Sequence, residues 1–276
     1  DIAEAEDKID FSKPILNGPR QAGFDYFYGI AASWDFPPYI FIENDRITES
    51  PAVKKGGRLL KNYYPDIPDE ELIENNRDYP LVSWRNGYAS ETIKPEDAIS
   101  IITDRTIDYI NQQKAKDPFF LMVSYTAPHT PVVPRDEFVG TSACGIYGDF
   151  CLELDHSIGK IIEQLKAKGL YENTLIIFTA DNGASLRAIP MKKQKEFEHS
   201  PSHIYKGYKA RLDEGGHRIP FIAVWPDQIK PGTRNDGLIS LNDLYATCAE
   251  LLGEEVAENA GEDSFSILSM LQGGQK

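Results

Sequence analysis

The chain has 276 residues, 41% hydrophobic and 26% charged, an ordinary globular composition with length for a substantial core. Its 29 basic and 43 acidic residues leave a formal charge of −14, which argues against broad binding to nucleic acid or to anionic membranes. An anionic substrate must then be met by a local cluster of cations. No apolar run reaches the length of a membrane span and no signal peptide is evident. The 3 cysteines, Cys144, Cys151 and Cys248, show no metal or redox spacing. Cys151 and Cys248 fall in helical patterns and read as small core residues. The chain begins at Asp1 without methionine and reads as a piece of something longer.

Residues 1–94 lack sustained periodicity and are rich in Pro, Gly, Asn and aromatics. Rings alternate with turn residues in Gly23-Phe-Asp-Tyr-Phe-Tyr-Gly29 and Trp34-Asp-Phe-Pro-Pro-Tyr39. Aromatic content opposes disorder, so an ordered, irregular region lying over a sheet end is expected. The rings in 23–45 either stack on sugar or pack the domain's own core. The Asn/Asp/Glu-rich run at 66–78 reads as solvated surface. Regular structure starts at Pro95, where proline followed by Glu96 and Asp97 suits a helix N-terminus. Ile99, Ile102, Thr106, Tyr109 and Ile110 share a face, predicting a helix to about Gln113. Phe119–Tyr125 reads as a buried strand that runs into Thr126-Ala-Pro-His129-Thr-Pro131.

From 146 to 168, Leu154, Ile158, Ile161, Ile162 and Leu165 recur at helical spacing, with Gly169 as the stop. The apolar run Thr174–Thr179 has the pattern of a strand buried on both faces. Strand, helix and strand in succession imply parallel pairing. A polar loop, 184–208, carries many lysines and two histidines. A third strand, Phe221–Trp225, ends at Pro226. Ser240 with Asp243 three residues on signals a further helix. Leu241, Leu244, Tyr245, Cys248, Leu251 and Leu252 are its expected buried face, and Gly253 its end. The tail 254–276 holds one short helical pattern. The expected fold class is α/β, with a mainly parallel central sheet flanked by helices.

The apolar run 174–179 stops at Asp181-Asn182-Gly183. In open α/β sheets ligands gather beyond the carboxyl ends of strands. A carboxylate and an amide offer oxygen ligands, which suit Ca²⁺ or Mg²⁺ better than zinc. The same tripeptide is also ordinary turn chemistry. Loops bearing His129, Asp181 with Asn182, and Lys209 to Arg218 would share one sheet rim. Together they supply oxygen ligands, cations and an acid–base imidazole, a kit for stabilising a tetrahedral oxyanion. Taken singly, each has a plainer reading. His129 is a turn residue between prolines, Lys209 and Arg211 pair on the surface with Asp213 and Glu214, and Gly215-Gly216 is a tight turn. His156 reads as structural or exposed.

Tyr125-Thr-Ala-Pro-His129-Thr-Pro, Asp155-His-Ser-Ile-Gly159, Thr179-Ala-Asp181-Asn182-Gly183, and Gly207-Tyr-Lys209 with Glu214-Gly-Gly-His217-Arg-Ile-Pro220 follow in order. Upstream stand Phe24-Asp-Tyr-Phe-Tyr-Gly and Pro37-Pro-Tyr-Ile-Phe-Ile-Glu-Asn-Asp45. No one motif is specific, but the ordered set is. From about Gly23 to Gly274 it resembles a type I sulfatase, a group within the alkaline phosphatase superfamily, and this implies an alkaline phosphatase-like fold and hydrolysis of a sulfate ester. The resemblance implies Asp181 and Asn182 as ligands of Ca²⁺, with Mg²⁺ as the alternative. It gives His129 and Lys209 catalytic roles on the sulfate oxygens and the leaving alcohol. His217 and His199 are expected near the substrate. In this group a formylglycine made from Cys or Ser in Cys/Ser-X-Pro-X-Arg attacks sulfur, and no such motif occurs here.

The expectation is therefore one incomplete catalytic domain over 1–276: an irregular substrate-side region (1–94), an α/β core (95–253), and a link (254–276) to an absent C-terminal subdomain. The formylglycine belongs to an absent N-terminal segment of the same protein, so the chain alone is expected to be inactive. A sulfated glycan or small molecule is the expected partner, in a periplasmic, extracellular or lysosomal setting. The alternatives are a phosphoesterase on the same scaffold, which Asn182 opposes because two-metal phosphatases of this type have histidine there, and a non-catalytic binder of sulfated glycans.

Overall fold

Buried rings, not loops open to solvent, organise the first part of the chain. The computed structural model describes residues 9–51, 53–58, 83–186, 189 and 191–274. The acidic run at 66–78 lies outside them. The chain divides into two compact units, one of Asp1–Gln164 with Asn182–Ile219, the other of Leu165–Asp181 with Pro220–Lys276.

In the first unit, β1 (Tyr28–Gly29), β2 (Ile42–Glu43) and β3 (Arg46–Ile47) form a small antiparallel sheet, with Tyr28 opposite Glu43 and Ile42 opposite Ile47. Asn44 turns the chain between β2 and β3 at φ 58°, a conformation asparagine tolerates. A second antiparallel pair joins β4 (Val53–Arg58) to β5 (Ser83–Ala89). Tyr39 N–H donates to Tyr88 O (2.8 Å) and its carbonyl accepts from Ser90 N–H (3.0 Å), binding the 37–41 segment to the end of β5.

Trp34, Tyr39, Phe41, Ala89 and Ala98 are the core, with Tyr28, Ile30 and Ile93 packed against it. Trp34 meets Phe41 edge to face with ring centroids 5.5 Å apart, and Tyr28 stacks on Phe41 at 4.9 Å. These rings therefore pack the domain itself and are not available to a sugar. Of the rings in 23–45, Phe24 and Phe36 are the large exposed ones.

A 3₁₀ turn at Pro95–Asp97 leads into α1 (Ala98–Gln112), one residue short of the expected end. It buries Ile99, Thr103, Thr106 and Ile110. Thr103 Oγ1 bonds both Ile99 O (2.7 Å) and Tyr125 Oη (2.7 Å), so a buried polar group is satisfied and α1 is tied to the 119–125 segment. That segment is not the buried strand expected. It has no ladder partner among the described residues. Its exposure alternates, with Phe120 and Met122 65% and 67% exposed between half-buried Phe119, Leu121 and Val123. The two-residue period survives, but only one face is packed.

Helix α2 (Gly145–Ala167) begins in the first unit, and its last turn, from Leu165, belongs to the second. Gly169 ends it at φ 66°, with Leu170 N–H donating to Leu165 O (2.9 Å). The connection from 182 to 219 holds the short helices α3 (Met191–Glu196) and α4 (Glu214–His217).

In the second unit, β6 (Ile176–Thr179) pairs antiparallel with β7 (Phe221–Val224), Ile176 opposite Val224 and Thr179 opposite Phe221. The parallel pairing implied by strand, helix and strand, that of 119–125 with 174–179, is not seen among the described residues, because 119–125 forms no ladder there. The antiparallel β6–β7 pair follows from where its own connection enters and leaves. It departs after Thr179 and returns at Phe221, the same end of the pair, whereas a parallel partner needs a crossover to the far end.

Helix α5 (Asp243–Leu252) also departs from expectation. Ser240 and Asp243 do form the start, with Ser240 N–H donating to Asp243 Oδ2 (3.0 Å), and Gly253 closes the helix at φ 70°. The buried residues, however, are Asp243, Ala246 and Thr247, while Tyr245 and Leu252 are 52% and 70% exposed. Polar bonds explain the inversion. Asp243 Oδ1 accepts from Phe265 N–H (2.9 Å), Thr247 Oγ1 from Ile267 N–H (3.0 Å), and Ser264 Oγ from Ala246 N–H (2.9 Å). These bonds hold the polar side of α5 to the 264–267 segment, which runs into α6 (Leu268–Leu271).

Candidate active site

Glycines let two polar loops of the first unit touch backbone to backbone. Gly183 N–H donates to Gly216 O (2.9 Å), Lys209 N–H to Ala184 O (2.9 Å), and Gly215 N–H to Lys206 O (2.8 Å). A Cβ on Gly183 would lie 1.9 Å from Gly215 O, and one on Gly216 would lie 2.1 Å from Arg211 O. Gly215-Gly216 is thus a close approach and not merely a tight turn. The result brings the loop beginning at Asn182 against the loop bearing Lys209. Ala210, next to Lys209, is held in the left-handed region at φ 67°, a local strain of the kind found at functional loops.

The acids near Lys209 are committed elsewhere. Asp213 pairs with Lys206 (3.2 Å) and Glu214 with Arg218 (3.0 Å). Among the described residues no carboxylate lies within ion-pair distance of Lys209, and its side chain is exposed. The surface pairing with Asp213 and Glu214 is therefore made by Lys206 and Arg218.

His129 stands in the 126–131 loop. Its Nδ1 lies 2.7 Å from Thr130 O. A carbonyl only accepts, so this contact assigns the hydrogen to Nδ1 and leaves Nε2 to accept a proton or, when protonated, to donate one. Asp35 Oδ1 lies 3.9 Å from Nδ1, and the Ser33 hydroxyl donates to that same oxygen. Asp35 was not legible as a site residue in the sequence, because nothing in Ser33-Trp-Asp35 points 94 positions ahead.

The other predicted residues have local partners. His217 closes α4, with Nε2 3.0 Å from Leu212 O, and is exposed. His199 follows α3, with its N–H on Gln194 O (2.9 Å), at the edge of an open hollow of ≈ 250 Å³ lined also by Met191, Lys195 and Glu198. Among the described residues, neither His199 nor His217 is hydrogen-bonded to another predicted site residue.

Asp181 is the last residue of its segment in the second unit, and Asn182 the first of the long connection in the first unit. Among the described residues no group of three or more His, Cys, Asp or Glu is placed to hold a metal ion. Two oxygen donors fit a hard cation in kind, but Ca²⁺ takes about six to eight, so they make part of a site and not a whole one. Burial pushes the Cys151 thiol up to about 11 and raises that of Cys248 as well, so neither is an activated nucleophile.

The family model described as Sulfatase matches residues 16–254. An N-acetylgalactosamine-6-O-sulfatase of Bacteroides thetaiotaomicron is 33% identical over 285 residues, which cover 96% of this chain and 54% of that protein. The N-acetylgalactosamine-6-sulfatase of Homo sapiens is 31% identical over 256 residues, covering 92% and 43% respectively. A solved structure from work on glycosaminoglycan metabolism by Bacteroides thetaiotaomicron has a TM-score of 0.79 at 31% identity, covering 96% of this chain and 58% of that one. A sulfatase structure from Pseudoalteromonas sp. has a TM-score of 0.66 at 27% identity, covering 94% and 50%. The chain thus spans about half the length of these relatives. Their α/β, alkaline phosphatase-like fold is the class expected from the sequence. With one family model running through both units and the motifs in their expected order, the chain belongs to the sulfatase family.

Proposed function

We propose that the protein containing this chain hydrolyses a sulfate ester on a carbohydrate. Relatives named for N-acetylgalactosamine 6-sulfate esters support this, as does the family match across both units, which we read as parts of one catalytic domain. The observation that carries the site is the glycine-packed junction of the Asn182 and Lys209 loops, with the Lys209 side chain exposed and no carboxylate paired to it among the described residues.

In this reading Lys209 binds sulfate oxygens and offsets their charge as it redistributes during S–O cleavage. His129 delivers a proton from Nε2 to the departing alkoxide, its Nδ1–H held by Thr130 O with the Asp35 carboxylate 3.9 Å away. His217 and His199 contact the sugar. Asp181 and Asn182 are oxygen ligands to Ca²⁺, or to Mg²⁺, with further donors from elsewhere in the protein. When bound, that cation supplies positive charge against the sulfate. The nucleophile, a formylglycine, lies in a segment upstream of these residues, and the chain by itself is inactive. An exported setting, whether periplasmic, extracellular or lysosomal, suits a carbohydrate sulfatase. Among the described residues no helix is long and apolar enough to cross a membrane.

The test is an assay of the full-length protein on sulfated saccharides, beginning with 6-sulfated N-acetylgalactosamine, alongside aryl phosphate. Turnover of the sulfates, abolished by Lys209→Ala and by His129→Ala, is expected. Turnover of phosphate esters alone would mean a phosphoesterase. Saccharide binding without turnover of either ester would mean a non-catalytic relative. A sulfate-bound crystal structure with His129 and Lys209 away from the anion would also overturn the assignment.

A further inference from the structure

One face of α2 presents Asp149, Glu153 and His156, four and three residues apart, and all three meet the same stretch of chain. Asp149 accepts from Gly140 N–H and Ser142 N–H (2.8 Å each), and Glu153 Oε2 accepts from Arg135 N–H (3.0 Å). The His156 ring lies 5.6 Å from that of Phe138. This stretch is the downstream half of the strap that carries His129, joined to it through the buried run 131–134. Asp149 has both oxygens bonded. Glu153 is 2% exposed, and its Oε1 is buried with no hydrogen-bond partner among the described residues.

The charges facing Glu153 are Arg135 and Glu137 from the strap and Asp97 from the turn before α1. Arg135 is already paired with Glu137 at 3.4 Å. We propose that Glu153 is a positioning residue for the His129 strap, a latch that closes when its carboxyl is neutral and is driven open when it ionises. An ionised carboxylate there keeps its bond to Arg135 N–H but leaves a charged oxygen dry, beside Asp97 and Glu137. Its cheapest relief is to reach water by moving the strap. Burial, partly offset by the Arg135 N–H bond and guanidinium, pushes the carboxyl up to about 7.

The sign follows from that direction. The folded value lies above the carboxyl's ordinary 4.5, so the closed strap is fully favoured below about 4.5. Between about 4.5 and about 7 each pH unit costs about tenfold in the closed-to-open ratio, and above about 7, where the carboxyl is ionised in both states, the ratio levels off at its low value.

The consequence for activity rests on the role proposed above for His129; the latch itself does not. The experiment is amide hydrogen exchange over 129–142 in the full-length protein from pH 5 to 9, comparing wild type with Glu153→Gln, which keeps the shape and the acceptor for Arg135 N–H. Wild-type protection, corrected for intrinsic exchange, should fall by up to about tenfold per unit from pH 5 to about 7 and level off above that, and the variant should hold level throughout. The alkaline limb of kcat/KM should move up in the variant with KM little changed. Level wild-type protection across the range overturns the latch, even if Glu153→Gln does not fold. A falling wild-type curve with full activity in His129→Ala would overturn the catalytic reading and leave the latch standing.

Discussion

Gly183→Ala puts the backbone junction at the candidate site under direct test. The new methyl carbon would start 1.9 Å from the carbonyl oxygen of Gly215, with Gly216 C at 3.0 Å. Ordinary carbon–oxygen contact needs about 3.3 Å or more, so one loop must retreat by over about an ångström. Both partners are main chain, and no rotamer change relieves the clash. Retreat breaks the Gly183 N–H to Gly216 O bond and loosens Lys209 N–H to Ala184 O, each worth about 1 kcal/mol. With about 1–3 kcal/mol for overpacking, the total is about 3–5 kcal/mol. The loss falls on the geometry of Lys209, so kcat/KM on a sulfated saccharide should drop about a hundredfold or more in protein that is still folded. Thermal unfolding and steady-state kinetics on the full-length protein, with Ala184→Gly as a control that adds no volume, measure the two effects. Wild-type kinetics and an unchanged midpoint for Gly183→Ala would show that the loops do not meet as described.

Asp35→Asn removes the carboxylate 3.9 Å from His129 Nδ1, and at aqueous screening that interaction is about 1 kcal/mol. A loss of about fivefold in kcat/KM is expected, read against Asp35→Glu, which should recover part of it. Asp243→Ala strips acceptors from Ser240 N–H and Phe265 N–H at a buried position. It should lower stability by about 2–4 kcal/mol in a denaturant titration, whereas removal of exposed Leu252 should cost under about 1 kcal/mol. With its thiol raised to about 11, Cys151 is thiolate in about one molecule in a thousand at pH 8, so native protein should resist iodoacetamide there until unfolded.

Local patterns carried the sequence a long way. Pro95 with the apolar face from Ile99 to Ile110 placed α1 to within a residue, and Ser240 with Asp243 placed the start of α5. Both are decided by neighbours three or four positions apart, which any sequence displays. The ordered motifs around His129, Asp181 and Lys209 likewise pointed to the family later matched over 16–254. Distant pairings were another matter. Apolar runs at 176–179 and 221–224 look alike whether strands pair parallel or antiparallel; only the course of the long connection set them antiparallel. The apolar stripe of α5 suggested a buried face, but bonds from Asp243 and Thr247 to residues some 20 positions on turned the other side inward. Asp35 beside His129, Glu153 under Arg135 and Gly183 against Gly216 are tertiary facts of the same kind. Each depends on chain closure that brings together groups far apart in sequence, and no periodicity or propensity records that contact.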